Sequence, residues 1–397
     1  MAEHSSSRHS NKRKPSTPQT SGEFSSGWRT NEDHFEVAIV GASFAGLACA
    51  RTLATRGIST AVLERKEEPG EAPHTTGILV REVADEWDVP EELTRKIHGV
   101  RLYSPSKAFL DLTSPGYYFL ATDTPTLMRW LAAQAEEAGA RLLTNQPFQS
   151  AVRIRNKFWL ESAEITCGFL VGADGAQSRV ARDFNLGTNQ SCLIGIELEY
   201  EGVRGVDEDR LHCFLDSELA PGYIGWVVPG LGITQVGLAC QRRGKPELER
   251  FIQGLEKIFD FRRARIVGRR GGLIPVGGPV KPLGCADVLL VGDAAGLASP
   301  LTAGGIHTAL HFGRRGAQLV SDYLYDGGPQ PYRALKDEVP WFSCKRLLRF
   351  AMNRGIPNRL LNLALENAVF RSLAQTIFYH HRGLLSAAAW REAMTVR

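Results

Sequence analysis

Val37-Ala-Ile-Val-Gly41-Ala-Ser43-Phe44-Ala45-Gly46-Leu-Ala, followed by Thr60-Ala-Val-Leu-Glu64-Arg65, decides the fold of this 397-residue chain. The apolar run 37–40 predicts a buried parallel strand. Gly41 supplies the tight turn, and Phe44 to about Arg56 predicts the helix whose first amides face a pyrophosphate. Glu64 falls 23 residues past Gly41, at the end of the next apolar run, where a carboxylate bonds ribose hydroxyls. Ser43 stands where the G-x-G-x-x-G fingerprint has its second glycine. A side chain this small tightens the backbone's approach to the phosphates without blocking it. A glycine turn alone marks only a strand-to-helix corner, but strand, helix and acid in register predict a bound dinucleotide.

Composition bounds the rest. With 43% hydrophobic residues the chain can bury a core large enough for two or three domains. No apolar run reaches the roughly 18 residues of a bilayer span, and the first residues lack the apolar core of a signal peptide, so the expectation is a cytoplasmic protein, soluble or attached to a membrane surface. The seven cysteines are an odd number without a C-x-x-C pair, which predicts reduced thiols and no metal site. Net charge is only +4, yet residues 341–397 hold nine basic and two acidic residues, leaving the remainder slightly acidic.

Residues 1–33, Ser-rich and basic in their first half, read as a disordered tail. Residues 34–98 form the first part of a Rossmann-type nucleotide-binding domain. A hairpin over 99–120 leaves it, residues 121–187 return to it with a helix from Pro125 to Ala138 ended by Gly139, and 188–282 change to short alternating strands. This predicts an antiparallel sheet inserted into the α/β domain as a substrate domain. Residues 283–330 complete the first domain, and 331–397 form a helical C-terminal region rich in arginine and aromatics.

Two further glycine turns follow apolar strands: Gly172-Ala-Asp174-Gly175, and Gly292-Asp293-Ala-Ala-Gly296. An acid at such a corner commonly caps the next helix, so neither Asp174 nor Asp293 is diagnostic alone. After them comes Ser299-Pro-Leu-Thr-Ala303-Gly304-Gly305-Ile306-His307, where paired glycines open a helix and free amides can meet an anionic ring or phosphate.

In this order the turns resemble the flavoprotein oxidoreductases with a p-hydroxybenzoate-hydroxylase-like fold and, within them, the geranylgeranyl reductase family. The resemblance covers residues 34–325. It implies that Gly41, Ser43, Phe44, Ala45, Gly46 and Glu64 hold the ADP half of FAD and that Asp174 belongs to the site. It also implies that Gly292, Asp293 and Gly296 hold the ribityl and pyrophosphate, and that Gly304, Gly305 and Ile306 lie beside the isoalloxazine. Thr75-Thr-Gly77-Ile78-Leu-Val-Arg looks like the segment passing near the flavin. Tyr223-Ile-Gly-Trp226-Val-Val-Pro229 followed by Val236-Gly237, together with Ile274-Pro-Val-Gly277-Gly278-Pro279, favours the reductase branch and implies substrate contacts at Tyr223, Trp226 and Pro229. Two positions depart from the pattern. Val228 replaces an aromatic, and Thr124 stands where an arginine reaches the FAD phosphates, a role left to Arg65 or Arg129. Flavin halogenases carry W-x-W-x-I-P, and Ile224 at the first tryptophan position speaks against halogenation.

The expected activity is reduction of carbon-carbon double bonds in an isoprenoid or similar apolar substrate by hydride from reduced flavin, with NAD(P)H or another donor as reductant. An FAD-dependent monooxygenase acting on an apolar substrate remains open on the same residues, and a flavin or lipid carrier would leave the flavin-side and pocket segments without work. No catalytic acid is assigned. His307, beside the flavin-side glycines, is the candidate proton source against an ordinary helix-terminal role. The 341–397 tract fits an interfacial surface for anionic lipid or a helical cap with snorkelling arginines. No nucleic-acid-binding module accompanies its charge.

Overall fold

The computed structural model describes residues 33–379, except 243 and 341. The expected tail (1–32) and the end of the basic tract (380–397) lie outside the described residues. Asp33, placed in the tail by its polar context, instead begins the first strand, pairs in register with Ile165 and forms an ion pair with Arg141.

A parallel sheet runs in the order Val288–Leu290, Ile165–Gly172, Asp33–Val40, Thr60–Leu63, Arg141–Leu143. Its central strands are continuous apolar runs, as strands buried on both faces are. Val37, Ala38, Ile39 and Leu170 are wholly buried. The helix Phe44–Thr55 packs on this sheet and against the long helix Ile306–Tyr325. Contact is close because residue 313 is glycine: a Cβ there would strike the Ala45 carbonyl. The helix Thr124–Glu137 is capped by Asp123, whose carboxylate accepts from the Thr126 amide at 3.2 Å and its hydroxyl at 2.8 Å.

The second sheet has seven strands in the order Arg265–Pro275, Cys192–Glu201, Thr234–Gln241, Gly225–Pro229, Arg210–Phe214, Gly99–Tyr103, Phe109–Thr113. The 99–113 hairpin joins it. The expectation of a purely antiparallel sheet is corrected at one pair: Arg210–Phe214 runs parallel to Gly99–Tyr103, since the hairpin comes from an earlier excursion of the chain. A third, three-stranded sheet of Ile78–Val80, Phe119–Thr122 and Thr94–Ile97 lies outside the sequence reading. Its strands are three or four residues long and carry no alternation to announce them.

Helices Pro331–Glu338, Ser343–Asn353, Asn358–Ala364 and Ala368–Tyr379 follow. Among the described residues no helix is long and apolar enough to cross a membrane. All seven cysteines are free, and burial pushes the thiols of Cys49, Cys167 and Cys213 up to about 12, which leaves them inert.

Candidate active site

The phosphate loop is built by close packing. Gly41 has φ +104°, and a Cβ there would lie 2.5 Å from the Ala173 carbonyl, so the turn brings the first strand's end against the Asp174 corner. Gly292, with φ +59°, leaves room for the Ala45 methyl, which a Cβ would approach to 2.7 Å. Three turns widely separated in sequence therefore meet at the helix N-terminus Phe44-Ala45-Gly46. Asn189 staples two of them, donating from Nδ2 to the Ala176 carbonyl at 3.0 Å and the Asp293 carbonyl at 2.8 Å. Ser43 is the exposed N-cap residue, and its side chain makes no cap bond.

Glu64 is buried, accepting from the Ala42 amide at 2.9 Å and the Lys66 amide at 3.0 Å. The Asp293 carboxylate takes no hydrogen bond from a described residue, and desolvation pushes it up to about 6. An acid so placed is suited to accept from sugar hydroxyls. Tight glycine corners, an anchored acid and an unengaged acid fit the ribose, pyrophosphate and ribityl parts of a flavin dinucleotide. Asp174 spends Oδ2 on capping the helix Arg179–Asp183, accepting from the Arg179 amide at 2.6 Å and the Val180 amide at 3.1 Å, while Oδ1 is buried without a partner. Arg65 and Arg129 are exposed and engaged locally, Arg65 with His74 at 3.3 Å and Arg129 with Thr126 at 2.9 Å and Glu68 at 3.3 Å.

Gly304 is exposed in the 299–305 loop, and Gly305 caps the helix that starts at Ile306; a Cβ on Gly305 would sit 3.3 Å from Asp293 Oδ1. His307 lies 3.5 Å from Glu86 and stacks on His311 with ring centres 6.2 Å apart. Burial raises Glu86, but the His307 hydrogen bond and the charges of His307 and Arg314 more than offset it, leaving it below the usual carboxylate range.

Tyr223 is brought to the loop: its hydroxyl donates to the Thr302 carbonyl, and it shares an apolar cluster with Trp226, Val276 and Ala303. Pro229 is not brought there. It pairs with Thr234 at the hairpin end, three residues along the strand from Trp226.

The residues missed by sequence reading form a row across the seven-stranded sheet. Register pairs Arg270 with Glu197, Glu197 with Gly237, and Gly237 with Trp226. Because residue 237 has no side chain, the indole passes over it, and Trp226 Nε1 donates to Glu197 Oε2 at 2.7 Å; a Cβ at 237 would lie 2.6 Å from the ring. Thr76 donates to the same oxygen at 2.8 Å, and Gln235 Nε2 donates to the Thr76 carbonyl at 2.9 Å. Arg270 pairs with Glu199 through Nη2, donates from Nη1 to the Thr75 carbonyl at 2.8 Å, and reaches Thr124 Oγ1 at 3.4 Å. A guanidinium thus stands beside Thr124 after all, supplied from 270. Gly77, with φ +79°, is enclosed by the Thr122 and Thr124 hydroxyls. Burial raises Glu197, against the hydrogen bonds of Trp226 and Thr76 and the charge of Arg270. A buried carboxylate, Glu197, and a half-buried one, Glu199, thus share one guanidinium beneath the 74–77 segment. The only sequence signal was Glu197 and Glu199 on one face of an alternating strand, which reads as an ordinary solvated edge.

A cavity of about 230 Å³ opens beside Gln177, Arg182, Asn189, Arg242 and Ala294. Its two guanidinium groups make it unsuited to a hydrocarbon chain, in contrast to the wall formed by Tyr223 and Trp226.

Residues 34–312 match the FAD binding domain family. The chain is 30% identical over 319 residues to digeranylgeranylglycerophospholipid reductase 2 of Methanopyrus kandleri, covering 73% of this chain and 78% of the relative. It is 26% identical to geranylgeranyl diphosphate reductase of Rhodobacter capsulatus, over 74% and 77% of the two chains. In fold it resembles the crystal structure of a geranylgeranyl bacteriochlorophyll reductase-like protein of Thermoplasma acidophilum, with a TM-score of 0.78 at 22% identity over 92% of this chain and 96% of the other. The α/β architecture with its inserted sheet and C-terminal helices is shared with the Thermoplasma protein, and the chain belongs to the FAD binding domain family and, within it, to the geranylgeranyl reductase group of FAD-dependent oxidoreductases.

Proposed function

We propose that the chain reduces carbon-carbon double bonds of a polyisoprenoid carried on an anionic head, the class named in its relatives. The observation that carries this reading is the seating of Tyr223 on Thr302, which sets an apolar wall of the inserted sheet against the 299–306 loop. When bound, reduced FAD supplies the hydride, drawn from NAD(P)H or another donor.

The chain's own residues supply binding and orientation. The Gly41 to Gly46 turn and Glu64 hold the ADP half, with Arg65 and Arg129 at the rim for phosphate. Gly292, Asp293 and Gly296 hold the ribityl and pyrophosphate, with Asp174 shaping their corner. Gly77, Ile78, Gly304, Gly305 and Ile306 border the ring. Tyr223 and Trp226 hold the alkene and exclude water, and Pro229 closes the Trp226 strand. The divisions at 98, 120, 187, 282 and 330 are kept as the limits of the cofactor, substrate and C-terminal parts; membership of the 99–113 hairpin in the seven-stranded sheet supports giving it to the substrate part. Helices 343–379 present apolar and cationic side chains to a lipid surface.

The test is incubation of the FAD-loaded chain with dithionite and a geranylgeranyl lipid or diphosphate under nitrogen. Products heavier by one hydrogen pair per double bond are expected. Unchanged substrate, together with oxygen-dependent hydroxylation in air, would overturn the reading in favour of a monooxygenase.

A further inference from the structure

Arg349 lies on the C-terminal helix Ser343–Asn353 and is 3% exposed, while Leu347 and Phe350 beside it are 69% and 56% exposed. Its guanidinium donates from Nε to the Pro300 carbonyl at 2.5 Å, from Nη2 to the Leu301 carbonyl at 2.9 Å, and from Nη1 to the Gly222 carbonyl. It also lies 5.5 Å from the centre of the Tyr223 ring. Among the described residues no carboxylate pairs with it. Taking a guanidinium out of water without a counter-ion is costly, and here three main-chain oxygens and an aromatic face do the compensating.

Those oxygens are not scattered. Pro300 and Leu301 open the loop that ends at Gly305, the next residue, Thr302, receives the Tyr223 hydroxyl, and Gly222 precedes Tyr223 itself. Other ties hold the C-terminal helices to the inserted sheet, among them Gln241 Nε2 to the Asn353 carbonyl at 2.7 Å and Asn358 to Asp216 and Ser217. These stop at the sheet, whereas Arg349 reaches the loop.

We propose that Arg349 is a positioning residue for the reaction: from the C-terminal helix it sets the shape of the 299–305 loop and the place of Tyr223 against it. This rests on the reading above that the loop borders the flavin. Seating of helix 343–353 and geometry at the ring edge are then one state, and a chain that loses the first keeps its cofactor but holds it in an altered frame.

The test compares the full-length, FAD-loaded chain with Arg349→Ala and Arg349→Lys. None of Arg349's partners belongs to the phosphate loop, so FAD content and far-UV circular dichroism stay unchanged. The visible circular dichroism of the flavin changes, and kcat for a geranylgeranyl substrate falls by about ten- to a hundredfold with KM little moved, the loss that a misplacement near 1 Å brings. Lysine, a point donor without the planar fork, restores only part of it. If Arg349→Ala does not fold, Arg349→Lys decides by the same two readings. A lowered Tm with flavin dichroism and kcat as in the parent would overturn the proposal, leaving Arg349 a structural clamp. Gly304→Val separates this failure from failure of the underlying reading: the site is exposed, and a Cβ there meets only Thr302 Oγ1 at 3.5 Å. If Gly304→Val also leaves the flavin spectrum untouched, the loop does not border the ring and the proposal falls with that placement. If it shifts the spectrum while both Arg349 variants do not, the proposal alone fails.

Discussion

Trp226 crosses Gly237 to reach Glu197, with its indole nitrogen 2.7 Å from the carboxylate, so the glycine after Val236 is explained by a hydrogen bond between two other strands. Gly237→Val therefore drives the ring off its bond. The expected cost is about 1–3 kcal/mol from overpacking, with a red-shifted tryptophan emission as the indole N–H turns to water. Thermal unfolding and fluorescence of the variant check this; an unshifted emission would show that the indole does not need the crossing.

The charge count around Arg270 gives a pH signature. Removing the guanidinium with Arg270→Leu leaves the buried Glu197 and the half-buried Glu199 without their counter-charge, which costs about 3–5 kcal/mol near neutral pH. Glu197 already titrates above its ordinary value because it is buried, so its protonated form favours the fold, and stability falls as pH rises from the unfolded value through the folded one. The variant lacks the opposing charge, so its deficit shrinks as pH falls and Glu197 takes up its proton, and widens as pH rises. Denaturant titrations at several pH values measure it. A deficit independent of pH would mean that packing around Arg270, rather than charge, holds the row together.

Glu64 anchors the phosphate loop before any cofactor arrives, through the Ala42 amide. In Glu64→Ala the buried amide loses its acceptor, worth about 1–3 kcal/mol of apo-protein stability, and the ribose loses its partner. FAD at a hundredfold excess over Kd should stabilise the parent by about 2.7 kcal/mol and the variant by much less. Melting curves with and without FAD read both effects. An equal FAD-induced shift in the two proteins would remove Glu64 from the cofactor site.

The cofactor half of the fold was legible because its signals are local: Gly41, the helix from Phe44 and Glu64 lie within 24 residues of one another, and backbone sterics tie each to a fixed place. The seven-stranded sheet was legible as strands but not as a sheet with one parallel pair, since register between Arg210–Phe214 and Gly99–Tyr103 is set by contacts over a hundred residues apart. The row Arg270, Glu197, Gly237, Trp226 was illegible for the same reason. Each residue is unremarkable on its own strand, and only pairing across four strands turns a glycine into a passage and a surface-looking glutamate into a buried acid. Arg349 shows the limit of reading charge by composition, because one arginine of the basic tract points inward while Arg346, Arg354 and Arg359 are exposed.

Those outward residues decide the last prediction. Leu347, Phe350, Leu360, Leu363 and Val369 are 56–74% exposed, with Arg346, Arg354, Arg359 and Arg371 exposed among them. Apolar side chains interleaved with cations are suited to lie at a bilayer surface rather than to span it. Each arginine near an anionic surface contributes about 1 kcal/mol, a term that salt screens over a Debye length of about 8 Å at physiological ionic strength. The chain should therefore sediment with phosphatidylglycerol vesicles at low salt and be released in part at about 1 M, where the Debye length falls to about 3 Å. Leu347→Ser combined with Leu363→Ser should weaken binding at every salt concentration, because it removes the apolar share. Binding that neither salt nor the serine substitutions change would place the lipid contact elsewhere on the molecule. A serine variant that loses vesicle binding while still reducing a detergent-dispersed geranylgeranyl lipid would separate delivery of the substrate from its chemistry.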